Sequence, residues 1–99
     1  MAYHIEFAAS VKNQLRTLSA RQRSMVFQAI DRHLLHEPLA ETRNRKPLRP
    51  NPLAPWELRV GNLRVFYEVD VSEPDVVRIL AVGEKRRNKL LIAGKEVRL

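Results

Sequence analysis

The sequence has no cysteine, only three glycines and only six aromatic residues. The lack of cysteine excludes disulfide scaffolds, thiol catalysis and cysteine-ligated zinc. Three glycines are too few for a glycine-rich phosphate-binding loop, and the sequence contains neither a dinucleotide fingerprint nor a serine-nucleophile motif. Six aromatic side chains are too few to line a surface on which unpaired bases stack. These absences exclude several kinds of catalytic and nucleotide-binding site.

Long apolar runs are also missing. No segment approaches the ~20 apolar residues of a membrane-spanning helix, and the N-terminus lacks the charged-then-apolar order of a signal peptide. We therefore expect a cytoplasmic protein without membrane contact. The hydrophobic fraction of 44% is sufficient for one core, and 99 residues leave room for a single domain, residues 1–99.

Positive charge is in excess. Lys and Arg number 18 against 11 Asp and Glu, which gives a net charge of +7. Such an excess favours polyanionic partners, meaning nucleic acid, a ribosome or an acidic protein. Because base-stacking side chains are few, contacts to phosphate are expected. A basic protein without a nucleic-acid role is the alternative that composition leaves open.

The N-terminal part predicts a strand followed by two helices. Residues 3–7 alternate large and polar side chains, as in a strand with one buried face. Apolar side chains at helical spacing follow over residues 11–18. Residues 19–22 have the form of a capping box, so a second helix is expected to start near residue 20 and to stop before Pro38. Its apolar face is predicted to consist of Val26, Ala29, Ile30, His33 and Leu34.

The segment from residue 37 to residue 55 contains five of the six prolines and shows no hydrophobic period. Prolines stiffen an extended path, so this segment is predicted to be an ordered surface loop. A loop of this length inside a small domain is usually functional.

The following part predicts an antiparallel sheet. Residues 56–60 and 63–71 alternate in character on either side of Gly61-Asn62, which is typical of a tight hairpin turn. Residues 72–75 form a second predicted turn. The nearly continuous apolar run over residues 76–82 then indicates a strand that is covered on both faces.

The tail after Gly83 is interpreted as a small terminal hairpin, because Gly94 interrupts any helix. A short helix over residues 85–92 is the alternative. The predicted fold class is α+β, with an N-terminal strand and a helical hairpin packed on a twisted antiparallel sheet.

Arg64 is the most informative single residue. The odd-numbered residues 63–69 form one apolar face of their strand, so Arg64 projects from the opposite face. Arg59 on the partner strand lies close to the same turn. Two guanidinium groups on rigid strands are suited to hold a phosphate. The alternative is a solvated face on which Arg64 pairs with Glu57 or Glu68.

A basic run follows the last core strand and contains Lys85, Arg86, Arg87 and Lys89. We expect the chain to return this run to the edge of the same sheet face. Together with the cations of residues 43–49 it would supply a positive field that steers a polyanion. Ordinary solvated surface is the alternative for this run.

Metal ligands are not grouped in the sequence. The three histidines lack the spacing of metal ligands, and no paired-carboxylate cluster accompanies them. No metal site is predicted, and His33 is expected to be a half-buried residue of the second helix.

Two segments of the C-terminal half resemble the RelE/ParE superfamily of bacterial toxins. They are the hairpin Trp56-Glu-Leu-Arg-Val-Gly-Asn-Leu-Arg-Val-Phe-Tyr-Glu-Val69 and the strand Val77-Arg-Ile-Leu-Ala-Val-Gly83, followed by the basic run. Members are the toxic halves of type II toxin–antitoxin pairs, and the resemblance extends over nearly the whole chain. It implies a fold similar to that of the microbial ribonucleases and a cognate antitoxin that covers the basic face.

The resemblance also implies an activity that inhibits translation. RelE-type toxins cut messenger RNA in the ribosomal A site without a metal or cofactor, by attack of a 2′-hydroxyl on the neighbouring phosphate. On this basis the predicted catalytic residues are Arg64, Arg59, Lys85 and Arg87. The predicted RNA-binding residues are Arg43, Arg45, Lys46, Arg49, Arg86 and Lys89.

The sequence departs from the ribonuclease pattern at two positions. Leu91 stands where a C-terminal catalytic tyrosine is expected, and Glu57 stands where these ribonucleases carry a second lysine. ParE-type toxins, which share the fold but poison DNA gyrase, also lack that full catalytic set. Three functions therefore stay open: a ribosome-dependent mRNA endonuclease, a gyrase inhibitor without nuclease activity, and a non-toxic nucleic-acid-binding module.

Overall fold

The computed structural model describes residues 2–70 and 72–99, which form two helices and a mainly antiparallel sheet of seven strands. The elements are β1 (His4–Phe7), α1 (Ala9–Arg16), α2 (Ala20–Leu34), β2 (Arg45–Pro47), β3 (Trp56–Val60), β4 (Leu63–Val69), β5 (Val76–Arg86), β6 (Lys89–Ile92) and β7 (Lys95–Val97). The strand order is β2-β3-β4-β5-β6-β7, and β1 pairs in parallel with β5. The predicted α+β class is confirmed. Neither helix in this part of the chain has the length and apolar character needed to cross a membrane.

The second helix begins where the sequence predicts. The Ser19 hydroxyl accepts a hydrogen bond from the Gln22 N–H at 3.1 Å, and the Gln22 side-chain oxygen accepts one from the Ser19 N–H at 2.9 Å. This capping box satisfies N–H groups that have no partner inside the helix. The buried residues of α2 are Val26, Ala29, Ile30 and Leu34, and His33 is half-buried beside them.

The helices cover one face of the sheet, which we call the helix face. Its core combines helix residues with the strand residues Leu58, Leu63, Val65, Tyr67, Val77, Ile79 and Val82. The opposite, open face carries Glu57, Arg64 and Phe66, and it has a smaller core formed by Ala54, Phe66, Ala81, Leu90 and Ile92. Arg64 therefore projects away from the helices, as its position in the alternating pattern predicts.

A β-bulge explains why the apolar run in β5 does not alternate. Phe66 lies opposite Ala81, whereas the next residue, Tyr67, lies opposite Ile79. Leu80 is therefore an extra residue in β5. Leu80 and Ala81 both pack on the open face, while Ile79 packs under the helices. Both faces of this strand are covered, as the apolar run predicts.

The loop predicted over residues 37–55 contains a short strand. Residues Arg45–Pro47 form β2 and pair antiparallel with β3. The Arg45 side chain turns inward, where its Nε donates to the Ala40 carbonyl at 2.8 Å and its Nη1 donates to the His33 carbonyl at 2.7 Å. Three residues that end in proline show no alternation, so the sequence pattern alone did not indicate this strand.

The second predicted turn is built around Asp70. Its carboxylate accepts hydrogen bonds from the Ser72 hydroxyl at 2.7 Å and from the Ser72 N–H at 2.8 Å. These bonds, and one from Arg78, hold the pKa of Asp70 well below its usual value. Strand β4 ends at Val69. Residue 71, its predicted end, lies outside the described residues.

The predicted terminal hairpin is confirmed, and the alternative helix over residues 85–92 is wrong. Strand β5 is longer than predicted and continues through Gly83 to Arg86. The turn Arg87-Asn88 leads into β6, and the turn Ala93-Gly94 leads into β7. All four turn residues have positive φ, between 50° and 79°. Two-residue turns of this kind match the twist of the strands that they connect.

Gly83 allows the C-terminal hairpin to pack closely against β5. A Cβ atom at this position would lie 2.6 Å from the Leu91 carbonyl oxygen and 2.8 Å from the Ile92 side chain. The hairpin thereby places Leu90 and Ile92 in the core of the open face, against Phe66.

Replacing Gly83 by alanine is expected to lower the free energy of unfolding by about 1–3 kcal/mol, because the backbone of Leu91 has to move. Urea denaturation measures this loss. Limited proteolysis should cut the variant within residues 89–99 before the rest of the chain. Unchanged stability and unchanged protease resistance would contradict the close packing of the hairpin.

Tyr67 is fully buried on the helix face, and its hydroxyl donates to the Pro38 carbonyl at 2.6 Å. Burial raises the pKa of this hydroxyl. Because Tyr67 lies beneath the helices, it does not contribute a proton-transfer group to the open face.

Replacing Tyr67 by phenylalanine is expected to lower the free energy of unfolding by about 1–2 kcal/mol, because the buried Pro38 carbonyl loses its donor. Chemical denaturation measures the change. Tyr3→Phe is the matched control, since the Tyr3 hydroxyl makes no hydrogen bond among the described residues. Equal stability of the two variants would show that the buried bond contributes little.

Candidate functional site

A cleft of about 420 Å³ opens on the open face, between the β3–β4 hairpin and the C-terminal hairpin. Its cationic lining residues are Arg59, Arg64, Lys85, Lys89 and Arg98. Two carboxylates, Glu57 and Glu96, also line it. We call this feature the cationic cleft. Its excess of positive charge makes it the part of the open face that is suited to an anion.

Arg64 is held in place before any ligand arrives. Its side chain is only 13% exposed. Its Nη1 donates to the carbonyls of Gly61 and Leu63, both at 2.8 Å. Its buried Nε lies 3.2 Å from a Glu57 oxygen but has no hydrogen bond of good geometry to any described residue. Burial lowers the pKa of this guanidinium, and the charge of Glu57 partly opposes that change.

Glu57 lies between the two arginines. One oxygen, Oε1, accepts a hydrogen bond from Arg59 Nε at 2.8 Å and lies 3.2 Å from Arg64 Nε. The Glu57 side chain is 10% exposed, whereas that of Arg59 is 48% exposed. Glu57 and Glu68 were the two partners predicted for Arg64. Arg64 pairs with Glu57, whereas Glu68 pairs with Arg78.

Lys85 and Lys89 join the arginines in the cationic cleft. Gly83 lies opposite Arg64 in the register of β4 and β5. Lys85 follows Gly83 by two positions, so it projects from the same face. Three of the four residues predicted to be catalytic are thus brought together.

The other two cations of the basic run lie outside the cationic cleft. Arg86 projects from the alternate face of β5, where its Nε lies 3.0 Å from a Glu84 oxygen. Arg87 lies at the turn between β5 and β6. Leu91 lies opposite Glu84 and does not line the cleft, so the position of the expected tyrosine does not face it.

The cations of residues 43–49 are divided between the interior and the surface. Arg45, which was predicted to bind RNA, is instead buried, and its guanidinium donates to backbone carbonyls in the interior. Lys46 lies opposite Glu57 in the register of β2 and β3, which places it on the open face beside the cleft. Arg43 and Arg49 are exposed but do not line the cleft.

The sequence reasoning missed Arg98 and Asn88, which also line the cationic cleft. The sequence feature that could have indicated them is the pair of two-residue turns at residues 87–88 and 93–94. Two successive hairpins add the last residues of the chain to the same sheet as Arg64. Only the packing of those hairpins on the open face brings Arg98 near Arg64.

The other end of the open face is acidic. Arg78 is surrounded there by Glu68 at 3.2 Å, Glu6 at 3.3 Å and Asp70 at 2.9 Å. Three carboxylates thus outnumber one guanidinium. A polyanion is repelled from this end and attracted towards the cationic cleft.

The chemistry available in the cleft is that of guanidinium, ammonium, carboxylate and amide groups. Within residues 2–70 and 72–99, no three His, Asp or Glu side chains are grouped to hold a metal ion. No described histidine or tyrosine lines the cleft. His33 lies in the last turn of α2, where burial and the charges of Arg45 and Arg32 lower its pKa.

Comparisons with known proteins agree with this fold. A sequence model of the family described as ParE toxin of type II toxin-antitoxin system, parDE, matches residues 5–89. Among solved structures, the chain is similar to one in the toxin–antitoxin complex RelBE2 from Mycobacterium tuberculosis, with 28% identity and a TM-score of 0.71 over 85% of this chain and 99% of that one. No curated protein matches the chain in sequence.

Two further structures share the fold. The isolated RelE toxin of Escherichia coli has 24% identity and a TM-score of 0.69, and the match covers 87% of each chain. A chain of the archaeal RelE–RelB complex from Pyrococcus horikoshii has 20% identity and a TM-score of 0.67, covering 88% of this chain and 99% of that one.

Proposed function

This chain belongs to the RelE/ParE superfamily of type II toxin–antitoxin toxins, and we propose that it stops translation by cutting messenger RNA on the ribosome. The observation that carries the proposal is the preorganised pair Arg59 and Arg64, fixed on two rigid strands in a cleft with three further cations. Such an arrangement suits a reaction in which negative charge builds up on a phosphate.

The proposed reaction is attack of the RNA 2′-hydroxyl on the adjacent phosphorus. The O2′–P bond forms, the P–O5′ bond breaks, a base takes the proton of O2′, and an acid supplies one to O5′. Arg64 and Arg59 stabilise the added negative charge on the phosphate oxygens. Lys85 and Lys89 are the lysines of the cleft, and we assign proton transfer to the leaving O5′ to one of them.

The proposed partner in the resting cell is an antitoxin. The RelBE2 and archaeal RelE–RelB structures are complexes of this kind. A segment of the partner that orders on the cationic cleft would exclude RNA from it. We propose that both proteins are located in the cytoplasm. There the bound antitoxin keeps the toxin inactive until the antitoxin is removed.

Expression of the chain alone, and together with a candidate antitoxin, tests the proposal. We expect growth arrest only without the antitoxin, and RNA 5′ ends that map to codons in the ribosomal A site. Normal growth with a confirmed level of folded protein would contradict a toxic function and favour a nucleic-acid-binding module.

Inhibition of DNA gyrase is the second candidate function. It is favoured by the match to the ParE toxin family and by the lack of a histidine or tyrosine among the described residues of the cleft. If this candidate holds, messages stay intact after induction, while DNA breaks and filamentous cells accumulate. The same expression experiment therefore separates the two candidates.

A further inference from the structure

Glu57 is the only buried carboxylate among residues 2–70 and 72–99, and it lies at the centre of the arginine pair. A carboxylate is costly to bury unless cations and donors surround it. Here two guanidiniums do so, with Nε···O distances of 2.8 Å and 3.2 Å. Carboxylate and phosphate oxygens bind guanidinium groups in the same way, so Glu57 competes with a phosphate for these donors.

We propose that Glu57 is a specificity-determining residue that acts as an internal counter-anion in the cationic cleft. With Glu57 in place, a single phosphate ion meets a site whose central charge is already partly neutralised. A phosphodiester strand differs because its neighbouring phosphates bind the outer cations at the same time. The cleft therefore selects strands and excludes free phosphate, an inference that rests on the proposed function.

The outer cations are suited to this role because they are exposed and weakly paired. Lys89 lies 4.0 Å from Glu96, and Arg98, 90% exposed, lies 3.3 Å from the same carboxylate. Surface pairs of this kind contribute little energy and are easily exchanged for other partners. A strand can thus bind Lys85, Lys89 and Arg98 before it displaces Glu57 from the arginines.

Glu57→Gln tests the inference, because it removes the charge and keeps the shape. We expect inorganic phosphate, titrated at constant ionic strength, to bind this variant about tenfold more tightly than the wild type. The salt dependence of binding to a short single-stranded RNA should also become steeper, by about one additional phosphate contact. Equal or weaker phosphate binding by Glu57→Gln would overturn the inference.

Glu41→Gln is the matched control, since it removes the same charge from an exposed position outside the cationic cleft. It should change phosphate affinity by no more than about twofold. An equal gain in both variants would mean that net charge alone sets the affinity, and would also overturn the inference.

Stability provides a second measurement if Glu57→Gln is poorly folded. Phosphate that binds only the folded state raises its melting temperature, so the same concentration of phosphate should raise the melting temperature of this variant more than that of the wild type. No stabilisation by phosphate, compared with chloride at equal ionic strength, would contradict the inference. Arg64→Gln distinguishes an incorrect role for Glu57 from an incorrect binding site. If Arg64→Gln binds RNA as tightly as the wild type, the cationic cleft is not where RNA binds.

Discussion

Replacing Arg64 by alanine is expected to reduce RNA cleavage at least about 100-fold and to abolish growth arrest. In the proposed mechanism this guanidinium supplies charge and donors where the phosphate gains negative charge, and loss of one such donor typically has an effect of this size. Arg64→Lys should recover only a small part of the activity, because an ammonium group lacks the planar set of donors. Mapping of RNA 5′ ends after induction measures both variants.

Two controls separate loss of chemistry from loss of structure. Arg21→Ala removes an exposed arginine of α2, away from the cationic cleft, and should leave cleavage unchanged. The melting temperature of Arg64→Ala shows whether the β3–β4 turn still forms without the two hydrogen bonds from Arg64 to the backbone. A folded Arg64→Ala variant with full activity would reject the role of this residue.

Replacing Arg45 by alanine is expected to lower the free energy of unfolding by about 3 kcal/mol or more. Its side chain is buried, and the carbonyls of Ala40 and His33 lose their donors in the variant. These two hydrogen bonds are partly buried, and a carbonyl that loses its donor away from water costs about 1–3 kcal/mol. Urea denaturation at neutral pH measures the loss.

Arg43→Ala is the matched control, because Arg43 is an exposed arginine two positions earlier in the same segment. Its stability should stay within about 0.5 kcal/mol of the wild type. If Arg45→Ala were as stable as this control but bound RNA more weakly, Arg45 would act at the surface, and its interior position would be contradicted.

The sequence alone determined the open-face position of Arg64. The two-residue turn at Gly61-Asn62 and the apolar side chains at the odd-numbered positions 63–69 of β4 favour one placement, because a shift by one residue would move these four side chains off the helix face. The capping box at Ser19 determined the start of α2 in the same local way. Both inferences depend on residues that are close in sequence, and both are confirmed.

The role of Arg45 was decided by tertiary structure. In sequence it is one of several cations in a proline-rich segment, and nothing local distinguishes it from Arg43 or Arg49. Its position became clear only once β2 paired with β3 and the ends of α2 and the following turn presented carbonyl groups to it. Whether an arginine side chain is buried depends on hydrogen-bond acceptors contributed by other segments of the chain.

The composition of the cationic cleft was also decided by tertiary structure. The basic run predicted a positive field but not which of its cations share the cleft. Lys85 and Arg86 project from opposite faces of β5, so only Lys85 lines the cleft. The C-terminal segment packs closely against Gly83, and Arg98 at its end also lines the cleft. Local patterns determined most of the strands and the face that Arg64 takes, but not β2, the bulge in β5 or the extension of β5 to Arg86. Contacts between distant segments determined which charges meet, since such contacts depend on register, bulges and hairpin packing that no short stretch of sequence encodes.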